Sequence, residues 1–164
     1  MADELVAAYN EQVTLELASS VAYLQMAAHF ESSNLVGMAG WMRAQAAEEA
    51  AHADRFIAFI LDRGADVKIG NIPAPTTDFG APEAVFEASL NQERAVTKSI
   101  HDLFRLARKN DDLASEPFLS SFIDEQIEEE STVESILERV RLAGGESSAL
   151  LLLDSELGAR TAPA

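Results

Sequence analysis

The chain is 164 residues long, contains no cysteine and carries a formal net charge of −16. This length suits a single domain with a hydrophobic core, and the lack of cysteine excludes disulfides, thiolate metal sites and thiol nucleophiles. The negative charge disfavours nucleic acid and anionic membranes as partners and attracts cations, although solubility explains it equally well. No apolar run approaches the roughly 20 residues that span a bilayer, and the acidic N-terminus lacks a signal peptide's basic region. We therefore expect a cytoplasmic globular protein.

The first two predicted helices are marked by apolar residues that recur every three or four positions. Residues 2–31 contain no Gly or Pro and carry such a stripe, which predicts a first helix. A turn at Ser32-Ser33-Asn34 follows, and these residues also offer a helix N-cap. A second helix is predicted from about Leu35 to Arg63, ended by Gly64.

The segment from residue 64 to residue 81 has a different texture, with prolines at positions 73 and 75 and a run of turn-forming residues. A loop of this length is unusual in a compact domain unless it has a task. Fully extended, it would reach roughly 55–60 Å, more than the length of about 40 Å expected for a 28-residue helix. The loop can therefore run along the whole bundle, so that the third helix starts beside the second and runs parallel to it.

Two more long helices and a short one are predicted after this loop. The third begins at Pro82 and ends near Lys109; the fourth, capped by Asp112 or Ser115, ends at Gly144. Four long helices with apolar stripes form an all-α four-helix bundle over residues 2–143. A short fifth helix is predicted over 147–157, with Ser147 as its cap, and residues 159–164 are predicted to be a flexible tail after a domain of residues 1–158.

Four consecutive leucines occupy positions 150–153 of the fifth helix. Leucines in a row point all around a helix, so an isolated surface helix would leave some of them exposed. Either this helix lies in a groove of its own bundle, or neighbouring subunits bury it together. We favour the second alternative.

Each of the four long stripes is interrupted near its middle by polar residues. Glu16 and Glu49 are 33 residues apart and Glu93 and Gln126 are also 33 apart, with a predicted turn at or next to the midpoint of each pair. If the second and third helices are parallel, both hairpins point the same way and all these positions reach one level. The residues predicted at this level are Glu16, Glu49, His52, Glu93, Gln126 and Glu129.

A single polar residue in a stripe needs no special explanation, because a lone glutamate can reach solvent and a lone core histidine is more often hydrogen-bonded than ligated. The whole set is different, since several carboxylates at one level repel each other unless cations lie between them. Carboxylates with one imidazole suit iron or manganese, with zinc as a further option and copper a weaker one. The pattern therefore predicts a buried metal site.

With these residues in place, nearly the whole chain resembles a bacterial non-haem ferritin. The resemblance implies a ferritin-like four-helix bundle with a long crossover loop between the second and third helices and a short C-terminal helix. The resemblance depends on several motifs in combination, because Glu-x-x-His alone would be a weak signal. The residues that carry it are Glu16, Tyr23, Glu49, His52, Glu93, Gln126 and Glu129.

The resemblance implies a ferroxidase centre with two irons. Glu16, Glu49 and His52 would hold the first iron, and Glu49 would bridge to the second. Glu93 and Glu129 would hold the second iron. Gln126 would be a ligand or a hydrogen-bonding neighbour. Tyr23 matches the tyrosine that such ferritins keep beside the centre, although a core tyrosine explains this residue equally well when it is taken alone.

Three further acidic residues, Glu48, Glu125 and Glu128, adjoin the predicted ligands in sequence but are turned about 100° away on their helices. In an arbitrary helix they would form a solvated acidic face. Here the resemblance implies a third iron site that they share with Glu129 and that leads toward the interior of a cage.

Departures from related families restrict the cofactors. Haem-type bacterioferritins carry a methionine after the second-helix glutamate and Glu-x-x-His on the fourth helix, whereas this chain has Ala50 and Gln126-x-x-Glu129, so we expect no haem. Rubrerythrins need cysteines, which are absent. His29 and His101 match no ligand position and are expected to be structural or surface residues.

The resemblance implies an iron storage protein and ferroxidase, which oxidises Fe(II) to Fe(III) with O₂ or peroxide and stores ferric mineral in a hollow 24-subunit homo-oligomer. One alternative is a di-iron oxidase or oxygenase of the same fold without storage, which would be a monomer or dimer. Others are a haem-type bacterioferritin and a metal-free structural bundle in which lysines pair with the acids of the stripes.

Overall fold

The computed structural model describes residues 1–159, and this part of the chain contains five helices and no strand. The helices are α1 (Asp3–Ser32), α2 (Val36–Asp62), α3 (Pro82–Lys109), α4 (Ser115–Ala143) and α5 (Ser147–Gly158). Their bounds agree with the predicted ones to within one or two residues, which confirms the all-α prediction. Residues 160–164, most of the predicted tail, lie outside the described residues.

The crossover between α2 and α3 lies along α1. Near its start, the amide of Asn10 binds the carbonyl of Asp66 and the backbone N–H of Lys68. Further along, the backbone N–H of Gly70 donates to Thr14, and at its end His29 bonds to the carbonyl of Gly80 over 3.0 Å. The crossover therefore spans the bundle, α3 starts beside the start of α2, and His29 has the structural role expected of it.

The apolar stripes face the interior as predicted, and they form two clusters separated by the polar level. One cluster surrounds Tyr23, Trp41 and Phe86, and the other surrounds Tyr9 and Phe56. All eight residues of the α1 stripe are buried: Leu5, Tyr9, Gln12, Glu16, Ser19, Tyr23, Met26 and Phe30. Within the described residues, no helix has the length and apolar character needed to cross a bilayer.

The predicted N-caps are wrong, although the helix starts are right. The N-cap positions of α2, α4 and α5 are Leu35, Ala114 and Glu146, and none gives a side-chain cap. Asp154 of α5 supplies the missing acceptor for α2, because its Oδ1 accepts the backbone N–H of Met38 over 2.7 Å. That partner lies 116 residues away, so no local sequence signal could reveal it.

Helix α5 packs on its own bundle with one face only. Leu153 and Leu157 are buried against the core, whereas Leu151 and Leu152 remain 58% and 64% exposed. Packing on its own bundle, the first alternative, therefore holds for the inner face, and burial between subunits stays a prediction for the outer face. The inner face fills a groove of its own subunit, and no residue from 1 to 159 covers the outer face.

Candidate metal centre

Three buried side chains meet between α1 and α2 at the predicted level. Glu16 comes from α1, and Glu49 and His52, three residues apart, come from one face of α2. One potential ligand atom from each residue lies within 4.8 Å of the other two, and no other such trio of His, Asp or Glu occurs in residues 1–159. His52 directs its Nδ1 toward Glu49, 3.7 Å from Oε2.

The donor atoms of this trio fit a cation. Among the described residues, four fully buried side-chain atoms have no hydrogen-bond partner: Glu16 Oε2, Glu49 Oε2, His52 Nδ1 and Gln126 Oε1. A buried polar atom without a partner costs about 1–3 kcal/mol. Each of the three oxygens carries lone pairs that can accept a hydrogen bond or bind a metal, and the neutral imidazole offers a lone pair as well. A divalent cation between the ligand atoms of Glu16, Glu49 and His52 would satisfy this trio, and carboxylate oxygens with one imidazole suit iron or manganese.

Electrostatics also favours a cation at this position. Burial, reinforced by the negative charge of Glu49, raises the pKa of Glu16 well above its ordinary value. Burial, with the charge of Glu93, raises the pKa of Glu49 to about 8. In the salt bridges between described residues, neither glutamate pairs with a lysine or arginine. This counts against a metal-free bundle in which lysines neutralise the stripe acids.

Glu93 is buried close to the trio but is held by neutral donors. The hydroxyl of Tyr23 donates to its Oε1 and is hydrogen-bonded to Ser89 over 2.9 Å. Gln126 donates to its Oε2 over 3.2 Å. Burial raises the pKa of Glu93, although both hydrogen bonds oppose that rise. The half-buried Glu129 accepts a 2.9 Å hydrogen bond from Gln45. The roles of Glu93 and Glu129 at a second iron stay predictions.

Two buried glutamines, Gln12 and Gln45, donate hydrogen bonds to predicted ligands, although neither was predicted to belong to the site. Gln12 donates to Glu16 over 2.7 Å and is itself fixed by the hydroxyl of Ser99 at 2.6 Å. Gln45 stands four residues before Glu49, as Gln12 stands before Glu16. This shared spacing on the buried face was the sequence signal for both residues.

On the other side of the centre, Gln126 is oriented by a second polar chain. Its amide donates to Thr97 over 3.2 Å, and Thr97 donates to Glu130 over 2.5 Å. No local pattern in the sequence marks Glu130 for this role, because its partner Thr97 lies on another helix.

The residues predicted for a third iron are divided between two places. Glu48, Glu128 and Glu129 line one open groove bounded by α2, α4 and the end of α5. Glu125 instead pairs with Arg55, with Nη1 to Oε2 at 2.7 Å, and approaches the Nε2 of His52 to 3.6 Å. The third site stays a prediction.

Comparison with known proteins places this architecture among the ferritins. A family model described as "Ferritin-like domain" matches residues 6–143. A bacterial non-heme ferritin of Staphylococcus aureus is 37% identical over 161 residues, which cover 98% of this chain and 97% of the relative. One of Bacteroides fragilis is 36% identical over 160 residues, covering 98% of this chain and 99% of the relative.

Solved structures agree with the sequence relatives. An open pore ferritin from Archaeoglobus fulgidus is 38% identical, with a TM-score of 0.96 over 98% of this chain and 99% of that one. An engineered closed form of the Archaeoglobus fulgidus ferritin is also 38% identical, with a TM-score of 0.97 and 99% of each chain covered. Since the family model spans most of the chain and the relatives match it almost from end to end, this chain belongs to the ferritin-like family, as a relative of the bacterial non-haem ferritins.

Proposed function

We propose that this protein stores iron, oxidising Fe(II) to Fe(III) at the buried centre and keeping the ferric product inside a hollow homo-oligomeric cage. The observation that carries the proposal is the set of buried lone pairs on Glu16, Glu49, His52 and Gln126 that have no hydrogen-bond partner. Family membership and the close relation to bacterial non-heme ferritins support storage. Iron is here the substrate and cargo.

The proposed ligands are distributed over two irons. Glu16, Glu49 and His52 hold the first Fe(II), and Glu49 bridges to the second, which Glu93 and Glu129 hold. O₂ or peroxide takes one electron from each iron. The carboxylates favour this step because their negative charge stabilises Fe(III) more than Fe(II). Entry of the cations also releases the protons that burial holds on Glu16 and Glu49.

Two residues beside the irons orient the ligands of the second one. Tyr23 keeps its proton, since burial and the charge of Glu93 raise its pKa well above the ordinary value, and it therefore remains a hydrogen-bond donor to Glu93. Gln126 has its amide nitrogen on Glu93 and its Oε1 without a partner, which leaves that oxygen available to a cation.

Storage requires a closed shell, for which we propose 24 copies of this chain in the cytoplasm. Such a shell needs several kinds of subunit contact around its symmetry axes, and the exposed Leu151 and Leu152 suit one of them. The groove with Glu48, Glu128 and Glu129 would pass cations from the centre to the interior. A non-storage di-iron oxidase of the same fold is the alternative, and it predicts only monomers or dimers in size-exclusion chromatography.

An anaerobic Fe(II) titration, followed by exposure to O₂, tests the proposal. We expect wild-type protein to bind two Fe(II) per subunit tightly and to oxidise them in one fast phase. Glu49→Gln should lose both binding and the fast phase. Glu138→Gln removes an exposed α4 carboxylate away from the centre and should change neither. Equal binding by wild type and Glu49→Gln would refute the proposed centre.

A further inference from the structure

Arg55, on the turn of α2 that follows His52, is fixed by three different contacts with α4. Its guanidinium Nη1 donates to both carboxylate oxygens of Glu125, at 2.9 and 2.7 Å. Its Nη2 donates to the hydroxyl of Ser121 at 2.8 Å. The guanidinium carbon also stands 3.9 Å from the centre of the Phe122 ring. An ion pair, a neutral hydrogen bond and a cation–π contact thus hold one side chain.

The Glu125 carboxylate that Arg55 holds is directed at the outer nitrogen of His52. Its Oε2 lies 3.6 Å from Nε2, while Nδ1 on the other side of the ring faces Glu49 and has no hydrogen-bond partner. The Phe122 ring, which Arg55 covers, also meets the imidazole edge to face at 5.4 Å. Arg55 therefore contacts two of the groups that surround the outer half of His52.

A histidine that binds a metal through one nitrogen generally needs its other N–H directed at a carboxylate or carbonyl, which fixes the tautomer and the ring. Glu125 can serve in this way only while it stays in place, and its side chain is 41% exposed. Arg55 keeps it there. Because the guanidinium already balances the charge of Glu125, this carboxylate also attracts a further cation less strongly than the other acids of the site.

We propose that Arg55 is a positioning residue that holds Glu125 against the outer nitrogen of His52, so that Glu125 orients the imidazole for the first iron instead of binding a third one. This inference rests on the proposed function, since it assumes that His52 binds metal through Nδ1. It assigns Glu125 a task different from that of Glu48 and Glu128, which lie in the open groove.

Calorimetric titration of the assembled, metal-free protein with Co(II) under argon tests the inference without any turnover. Arg55→Leu keeps the apolar cover of Phe122 but releases Glu125. We expect its dissociation constant for the first Co(II) to rise tenfold or more, within the roughly 10–100-fold range for loss of a supporting carboxylate, with the number of bound ions unchanged. Arg55→Lys keeps the positive charge but lacks the planar guanidinium that bonds Glu125 and Ser121 at once. It should recover part of the affinity.

The control is Arg43→Leu on the same helix. Arg43 also makes two hydrogen bonds to a carboxylate of another helix, Glu31, but it lies away from the centre. This variant should bind Co(II) as the wild type does. Glu125→Ala should lose the same affinity as Arg55→Leu, and the double variant should lose no more than either, because both residues act along one path.

Three results would overturn the inference. If Arg55→Leu leaves the first Co(II) unaffected and gains a third tight ion, Glu125 is a third-site ligand that Arg55 restrains. If Arg55→Leu changes neither the affinity nor the number of ions, Arg55 has no positioning role. If wild-type protein itself binds no Co(II) or Fe(II), the proposed function fails together with the inference, whereas the first two results leave that function standing.

Discussion

At Glu49, burial and the charge of Glu93 raise the carboxyl pKa from an ordinary value of 4.5 to about 8. Between these pH values the metal-free folded state holds a proton that the unfolded chain releases. The free energy of unfolding therefore falls as pH rises through this window, by up to about 1.4 kcal/mol per pH unit for one such group. Glu49→Gln has no titrating carboxyl at this position, so its free energy of unfolding should not fall in this way.

We expect metal-free Glu49→Gln to match the wild type near pH 4.5 and to exceed its stability by a few kcal/mol at pH 8. Chemical unfolding of chelator-treated protein at both pH values measures the difference. Adding Zn(II) at pH 8 should stabilise the wild type alone, because a ligand that binds only the folded state shifts the equilibrium. Parallel pH profiles for the two proteins would contradict this prediction.

Tyr23 can be separated from an ordinary core tyrosine by a matched pair of variants. Tyr23→Phe removes the hydroxyl that donates to Glu93, whereas Tyr9→Phe removes an equally buried hydroxyl that donates to Ser115 over 2.8 Å, far from the centre. A hydrogen bond to a charged group contributes about 1.5–3 kcal/mol. Stopped-flow absorbance should therefore show Fe(II) oxidation slowed roughly tenfold or more in Tyr23→Phe only. Equal slowing in both variants would mean that the tyrosine acts through packing alone.

At the scale of a helix, the docking of α5 depends on one close approach to α2. A Cβ atom added at Gly37 would lie 1.8 Å from the carbonyl oxygen of Asp154, whereas one added at Gly40 meets nothing within 4 Å. Gly37→Ala should therefore detach α5, while Gly40→Ala, at an exposed helical position, should stabilise by up to about 1 kcal/mol. Limited proteolysis with mass spectrometry should find a new cleavage near Gly144 and Gly145 in Gly37→Ala alone. Identical digestion patterns would contradict this account.

The same helices indicate what the sequence could and could not predict. Periodicity located the four long helices, because each buries one stripe, and the equal spacing of Glu16 and Glu49 about their turn placed these residues at one height. The short α5 was predicted instead from Ser147 and the leucine run at positions 150–153. Height along a bundle follows from counting residues, but rotation about each helix axis does not. For this reason the contact of Glu125 with Arg55 was missed, as was the cap that Asp154 supplies to α2.

For the whole molecule, the charge of −16 opposes assembly while the exposed Leu151 and Leu152 favour it. Charge repulsion between subunits is screened over about 30 Å at 0.01 M salt but only about 3 Å at 1 M, whereas burial of apolar surface does not weaken with salt. We therefore expect light scattering after size-exclusion chromatography to show small species at low ionic strength and a cage at high ionic strength.

Glu138→Lys, which reduces the negative charge of every subunit by two, should assemble at lower salt than the wild type. Leu152→Ser should need more salt. A cage that dissociates as salt rises would mean that attractive ion pairs, and not the apolar faces, hold the subunits together.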